Sequence, residues 1–198
     1  MKLILASSSP RRHELLALLG VPFVVQPADI DETPRPHEAA LDYVRRMAAE
    51  KAEKVWQRLV AGAESEAETW VLGSDTSVVV DGEILGKPVD EHDALRMLRL
   101  LSGRVHEVIT AVSLHGVGGA DVRCSVTDVE FTTMSDAEMI QYWHSGEPSD
   151  KAGAYGIQGR GARFVRSISG SYHAVMGLPV DVVADMLVTA GFRLWQEE

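Results

Sequence analysis

The chain has 198 residues, 45% of them hydrophobic and 24% charged, which is the composition of a folded globular protein and not of a disordered one. Its formal net charge of −10 argues against a nucleic-acid polymer as partner, because such binding rests on Lys and Arg neutralising phosphates. No apolar run approaches the roughly 18 residues of a membrane helix, and the single cysteine, Cys124, allows no internal disulfide. The expected setting is the reducing cytoplasm, away from membranes.

Taken in chain order, residues 2–6 (KLILA) read as a buried first strand, too short for the apolar core of a signal peptide. Ser9 is a good N-cap and Pro10 suits a first helical position, so a helix is expected through Leu15, Leu16, Leu18 and Leu19 to Gly20. Phe23 to Gln26 is a short strand. After Pro36, the residues Leu41, Val44, Met47, Ala48, Ala52 and Val55 recur at helical spacing and predict a long helix. Residues 61–69 (AGAESEAET) predict an exposed loop or helix end. Trp70, Val71 and Leu72 make a buried strand that ends at Gly73-Ser74-Asp75-Thr76. Val78 to Val80, an Asp81-Gly82 turn and Glu83 to Leu85 then form a hairpin. Asp90 caps a helix carrying Ala94, Leu95, Met97, Leu98 and Leu101. A longer hairpin joins segments near 105–114 and 122–132, and Ser135 with Glu138 forms a capping box. A Gly-rich stretch at 153–161 precedes a strand near 163–168 and a final helix near 180–190. Strands interleaved with helices imply one α/β domain over residues 1–198, with a mixed sheet.

The informative residues are charges set against an apolar pattern, because burying a lone charge is costly. Ser7-Ser8-Ser9-Pro10-Arg11-Arg12 puts hydroxyls, backbone N–H groups and two arginines at a helix N-terminus, an environment that attracts anions. Two solvated arginines in a surface loop would account for the stretch equally well. Lys51 falls on the inner stripe of the long helix; a lysine snorkelling from its edge is the commoner explanation. Asp75 stands at the expected end of a buried strand, where α/β proteins place ligand sites and where a carboxylate can hold Mg²⁺ or accept a proton. Binding turn N–H groups is the alternative. Lys87 in Gly86-Lys87-Pro88 and Glu32 beside Asp31 are each explained alone by solvent exposure. In residues 150–159 (DKAGAYGIQG), closely spaced glycines allow near approach of a ligand, Tyr155 offers a ring face, and Gln158 offers an amide that can read a base edge. A plain Gly-rich loop fits the composition too. No GxxxxGK[ST], HExxH or GxSxG motif is present.

Six segments in order, SSSPRR (7–12), GSDT (73–76), GKP (86–88), SGRVH (102–106), DKAGAYGIQG (150–159) and GSYHAVMGLP (170–179), resemble the Maf family. The resemblance implies an α/β fold related to inosine triphosphate pyrophosphatases: an elongated mixed sheet flanked by helices, with two lobes around a cleft. It implies hydrolysis of a nucleoside triphosphate between its α- and β-phosphates, with a divalent metal, Mg²⁺ or Mn²⁺, as cofactor. The glutamine in DKAGAYGIQG matches the branch acting on dTTP and UTP. The family's proton acceptor then maps onto Asp75, its substrate-choosing positions onto Arg11, Thr76 and Gln158, and its phosphate and metal neighbourhood onto Ser7, Arg12, Lys51, Lys87 and Glu32. Within that neighbourhood, Glu32 and Asp75 are the expected metal carboxylates. The resemblance also raises a homodimer, although no apolar face demands one. Two further roles stay open: a nucleotide-binding regulator of cell division, and a cleaner of modified pyrimidine triphosphates.

Overall fold

The computed structural model describes residues 1–62 and 68–195; most of the expected 61–69 loop therefore lies outside the described residues. Among the described residues, seven strands form one sheet: β1 (Lys2–Leu5), β2 (Phe23–Val25), β3 (Thr69–Val80), β4 (Glu83–Leu85), β5 (Val105–Gly116), β6 (Gly119–Phe131) and β7 (Val165–Ser169). Their order is β2-β1-β3-β5-β6-β7, with β4 also on β3. β1 runs parallel to β2 and β3, and all the other pairings are antiparallel, so the sheet is mixed. The α-helices among these residues are α1 (Pro10–Ala17), α2 (Ala40–Ala61), α3 (Glu91–Leu101), α4 (Asp136–Trp143), α5 (Tyr172–Met176) and α6 (Val180–Thr189). No helix among the described residues is long and apolar enough to cross a membrane.

The cleft originates in the register of β3. Residues 69–72 pair with β1 on one side, and 78–80 pair with β4 on that same side further along. Between them, Gly73 to Ser77 pair only with β5. β1 has ended and β4 has not begun, so the strand edge lies open there. Side chains alternate across a strand, and the packing follows. Val71 and Val79 face α2, whose Val44, Met47, Ala48, Ala52 and Val55 cover that side. On the other side, Leu72 joins a cluster with α1 and α6 (Leu15, Leu16, Val183, Met186). Val78 and Val80 join a second cluster with α3 and α4 (Met97, Leu98, Met139, Tyr142). These two clusters are the cores of two lobes, and the open edge of β3 lies between them. Glycine is required at position 73, because a Cβ there would sit 2.2 Å from the Ala48 carbonyl oxygen of α2.

Several expectations change. The Gly73-Ser74-Asp75-Thr76 segment does not end a strand: its polar residues read like a turn, but pairing with β5 keeps β3 extended for 12 residues, and Asp75 is mid-strand. Ser9 has cap-like backbone geometry, but its side chain makes no capping bond; instead its N–H donates to Ser7 Oγ (3.2 Å). Leu41 is exposed rather than part of the inner stripe of α2. The five-residue α5 is too short to leave a periodic signal. The Asp81-Gly82 hairpin, with both residues at positive φ, the Asp90 cap and the Ser135/Glu138 capping box form as expected.

The Gly-rich stretch folds as short 3₁₀ turns over 147–164, anchored by Tyr155. Tyr155 is buried, packs edge-to-face on Phe131 and His106, and shares a 2.9 Å hydrogen bond between its hydroxyl and His106 Nε2. Its ring thus serves the core and leaves little face for a ligand. Burial pushes the pKa of His106, 2% exposed, from 6.5 down to about 4. A depressed histidine gives stability that is complete above the unfolded value of 6.5 and is lost as pH falls toward 4, by up to about 3 kcal/mol. A His106→Asn variant is therefore expected to show a flatter loss of urea midpoint between pH 6.5 and 4 than the parent; parallel curves would refute the assignment.

Candidate active site

A cleft of about 900 Å³ opens over the exposed edge of β3. Ser7, Arg11, Arg12, Glu32, Lys51, Asp75, Thr76, Lys87 and Gln158 all line it, so the structure brings every expected site residue to one cavity. They arrive from five places: the β1–α1 junction, the loop before α2, α2 itself, β3 with the turn after β4, and the Gly-rich turns.

Strand alternation splits the cluster in two. On the α2 face, Lys51 Nζ donates to Asp75 Oδ1 at 2.7 Å and lies 2.8 Å from Glu32 Oε1. Lys51 and Asp75 are each only 7% exposed, while the Glu32 side chain is about half exposed (52%). This settles the two readings of Lys51 against snorkelling: its ammonium points inward. Burial raises the Asp75 pKa, against the opposing pull of Lys51 and Arg12. Burial also works to raise Glu32, but the Lys51 hydrogen bond and charge, with Lys87 and Arg12 behind them, prevail and hold it below its ordinary value. The two carboxylates of one cleft thus shift in opposite directions, burial prevailing at Asp75 and the cationic partners at Glu32.

On the other face, Arg12 Nε donates to the Gly177 carbonyl (2.9 Å), and its terminal nitrogens reach Ser7 Oγ and Thr76 Oγ1, both at 3.4 Å. Ser74 Oγ donates to the same Gly177 carbonyl at 2.9 Å. Burial lowers the Arg12 pKa, while the carboxylates of Asp75 and Glu32 oppose the shift; a guanidinium so placed remains charged. Thr110 Oγ1 donates its proton to the Ala174 carbonyl (2.7 Å), so the proton in the 2.9 Å Thr76–Thr110 contact must come from Thr76. The Thr76 oxygen is therefore left as an acceptor. Gln158 is exposed, with no hydrogen-bond partner for its amide among the described residues.

Thr110, Ser74, Gly177 and Glu147 were missed by sequence reasoning. A hydroxyl inside the apolar run of β5 was the available sign for Thr110, and the Gly146-Glu147-Pro148 setting was the sign for Glu147. Gly177 acts through its carbonyl, which no side-chain pattern announces.

The donor set bears on a metal. Among the described residues no group of three or more His, Cys, Asp or Glu side chains converges. Glu32 and Asp75 meet only through Lys51. Mg²⁺ is commonly held by one or two carboxylates together with substrate phosphates, and this pair fits such a shared cation rather than one enclosed by protein alone.

Fold and site together define an α/β protein with a cationic, carboxylate-bearing cleft suited to a polyphosphate. The same fold occurs in the Staphylococcus aureus Ham1 protein, whose solved structure matches with a TM-score of 0.50 at 12% identity, over 96% of this chain and 99% of that one. The chain belongs to the Maf family: the family model described as Maf-like protein matches residues 2–190. It is similar to proteins named dTTP/UTP pyrophosphatase. The one from Colwellia psychrerythraea is 53% identical (96% of this chain, 89% of that protein). The one from Alcanivorax borkumensis is 51% identical (99% of each).

Proposed function

We propose that this chain is a nucleoside-triphosphate pyrophosphatase that converts dTTP and UTP to the monophosphate and pyrophosphate. The observation that carries the reading is the buried Lys51–Asp75 pair facing Arg12 across one cleft, in a chain about half identical to proteins named for that activity. The oxygen of a water molecule bonds to the α-phosphorus, the bridging oxygen between the α- and β-phosphates departs with pyrophosphate, and Asp75 takes the proton released by the water. Its raised pKa brings its basicity closer to neutral pH, as general-base work requires. Arg12, Lys51, Lys87 and Ser7 hold the phosphates and offset the charge that builds on the departing pyrophosphate. Lys51 is already oriented by Asp75, so little reorganisation is needed. Glu32 and Asp75 are the residues that would hold Mg²⁺ or Mn²⁺, which when bound adds positive charge on the phosphates. Arg11, Thr76 and Gln158 choose the base: the free amide of Gln158 can both donate and accept, as a pyrimidine edge requires. A cytoplasmic location belongs to the same reading, supported by the lone cysteine.

The test is pyrophosphate release from a panel of triphosphates, including 7-methyl-GTP, with Mg²⁺ and with Mn²⁺. Release from dTTP and UTP is expected; release only from 7-methyl-GTP, or from none, removes the proposal. Gln158→Ala is expected to lower the preference for dTTP over CTP by about tenfold or more while changing kcat much less, because polar readout governs discrimination. Equal losses on every nucleotide would exclude a base-reading role.

A further inference from the structure

Glu147 lies outside the phosphate-facing cluster yet lines the same cleft, on the side of the Gly-rich turns. Its carboxylate accepts the Arg160 N–H (2.7 Å) and the Gly161 N–H (3.0 Å). It also accepts the Tyr142 hydroxyl (2.7 Å), and that hydroxyl in turn accepts the Gly156 N–H at 3.0 Å. One carboxylate and one phenol on α4 and the turn after it therefore grip the backbone at 156, 160 and 161. Gln158 is at the middle of that span, with no hydrogen bond of its own among the described residues. The glycines serve the grip: a Cβ at Gly159 would fall 2.3 Å from Glu147 Oε2, and one at Gly161 would fall 2.5 Å from the Tyr142 hydroxyl. The main-chain donors at 160 and 161 bond to a carboxylate, and charge-assisted bonds are the stronger kind.

We propose that Glu147, acting with Tyr142, is a positioning residue for base selection: it holds the loop so that Gln158 meets the base at a fixed height. The inference rests on the pyrophosphatase reading above. A neutral amide at 147 would lose the charge and turn an N–H₂ toward backbone donors.

The experiment combines two readouts on Glu147→Gln, Tyr142→Phe, Gln158→Ala and the double variant Glu147→Gln/Gln158→Ala. Hydrogen exchange should accelerate by about tenfold or more at the amides of 156, 160 and 161 in Glu147→Gln, with little change in the core of β5. The dTTP-over-CTP ratio of kcat/KM should fall by about tenfold, mainly through KM. Tyr142→Phe, which keeps the ring packing, should move both in the same direction by less, and it carries the test should Glu147→Gln fail to fold. In the Gln158→Ala background, Glu147→Gln should cost no further discrimination, because its effect passes through that side chain. A uniform loss on all nucleotides, multiplying losses in the double variant, or unchanged loop exchange would each overturn the proposal. A parent protein that cleaves no nucleotide fails separately, before any variant is compared, and takes the selection role with it.

Discussion

Asp75→Asn is expected to slow pyrophosphate release from dTTP by about 10²–10⁴-fold, the usual weight of a positioned general base, while the melting temperature at neutral pH stays level or rises. The two halves of this result share one cause. Burial raises the Asp75 pKa above its ordinary 3.8, so the folded chain holds that proton more tightly than the unfolded chain does. Stability therefore falls as pH rises above the ordinary value, because ionising the buried carboxylate subtracts from it. An amide of the same shape removes the charge and the basicity together. Lys51 keeps Glu32 as a partner in the variant. Differential scanning fluorimetry and a coupled pyrophosphate assay read both halves. Retained turnover, or a melting temperature lowered by several degrees, would contradict the assignment.

The second large effect concerns Lys51→Met. The methionine fits the inner face of α2, but Asp75 and Glu32 then face each other without their shared cation. Turnover is expected to fall by about 10²–10³-fold, as when one preorganised charge donor is removed. Stability should drop by about 2 kcal/mol, short of the roughly 3–5 of a fully enclosed broken pair because Glu32 is half exposed. With its main opposing charge gone, Asp75 should ionise at still higher pH, moving the acid limb of kcat/KM upward. Adding Asp75→Asn to Lys51→Met should restore most of the lost stability, since the two residues form one coupled pair. Additive losses in the double variant would show that the pair is not the source of the effect.

Much of this site is legible in the chain because charge stands against an apolar pattern. Lys51 sits on the inner stripe of α2, and Arg11 and Arg12 occupy the first turn of α1, where the helix dipole disfavours them. Such placements are costly unless an anion or a carboxylate awaits them. The register of β3 is not legible in that way. A strand interior carrying Gly-Ser-Asp-Thr looks like a turn until β5 is seen pairing across it, and the pairing depends on residues about 35 positions further along the chain. The gap between β1 and β4 is likewise a property of three strands at once. For Glu147, the Gly146-Glu147-Pro148 setting marks a turn but not its partners, which are the Tyr142 hydroxyl and the N–H groups of residues 160 and 161.

The contact from Arg12 to the Gly177 carbonyl spans 165 residues. During synthesis, Arg12 emerges early but cannot be held by that carbonyl until the segment before α6 has left the ribosome and docked. A fragment cut short of that carbonyl would hold Lys51 and Asp75 and still lack an aligned guanidinium. Alignment of Arg12 is thereby tied to docking of the segment before α6, near the far end of the chain.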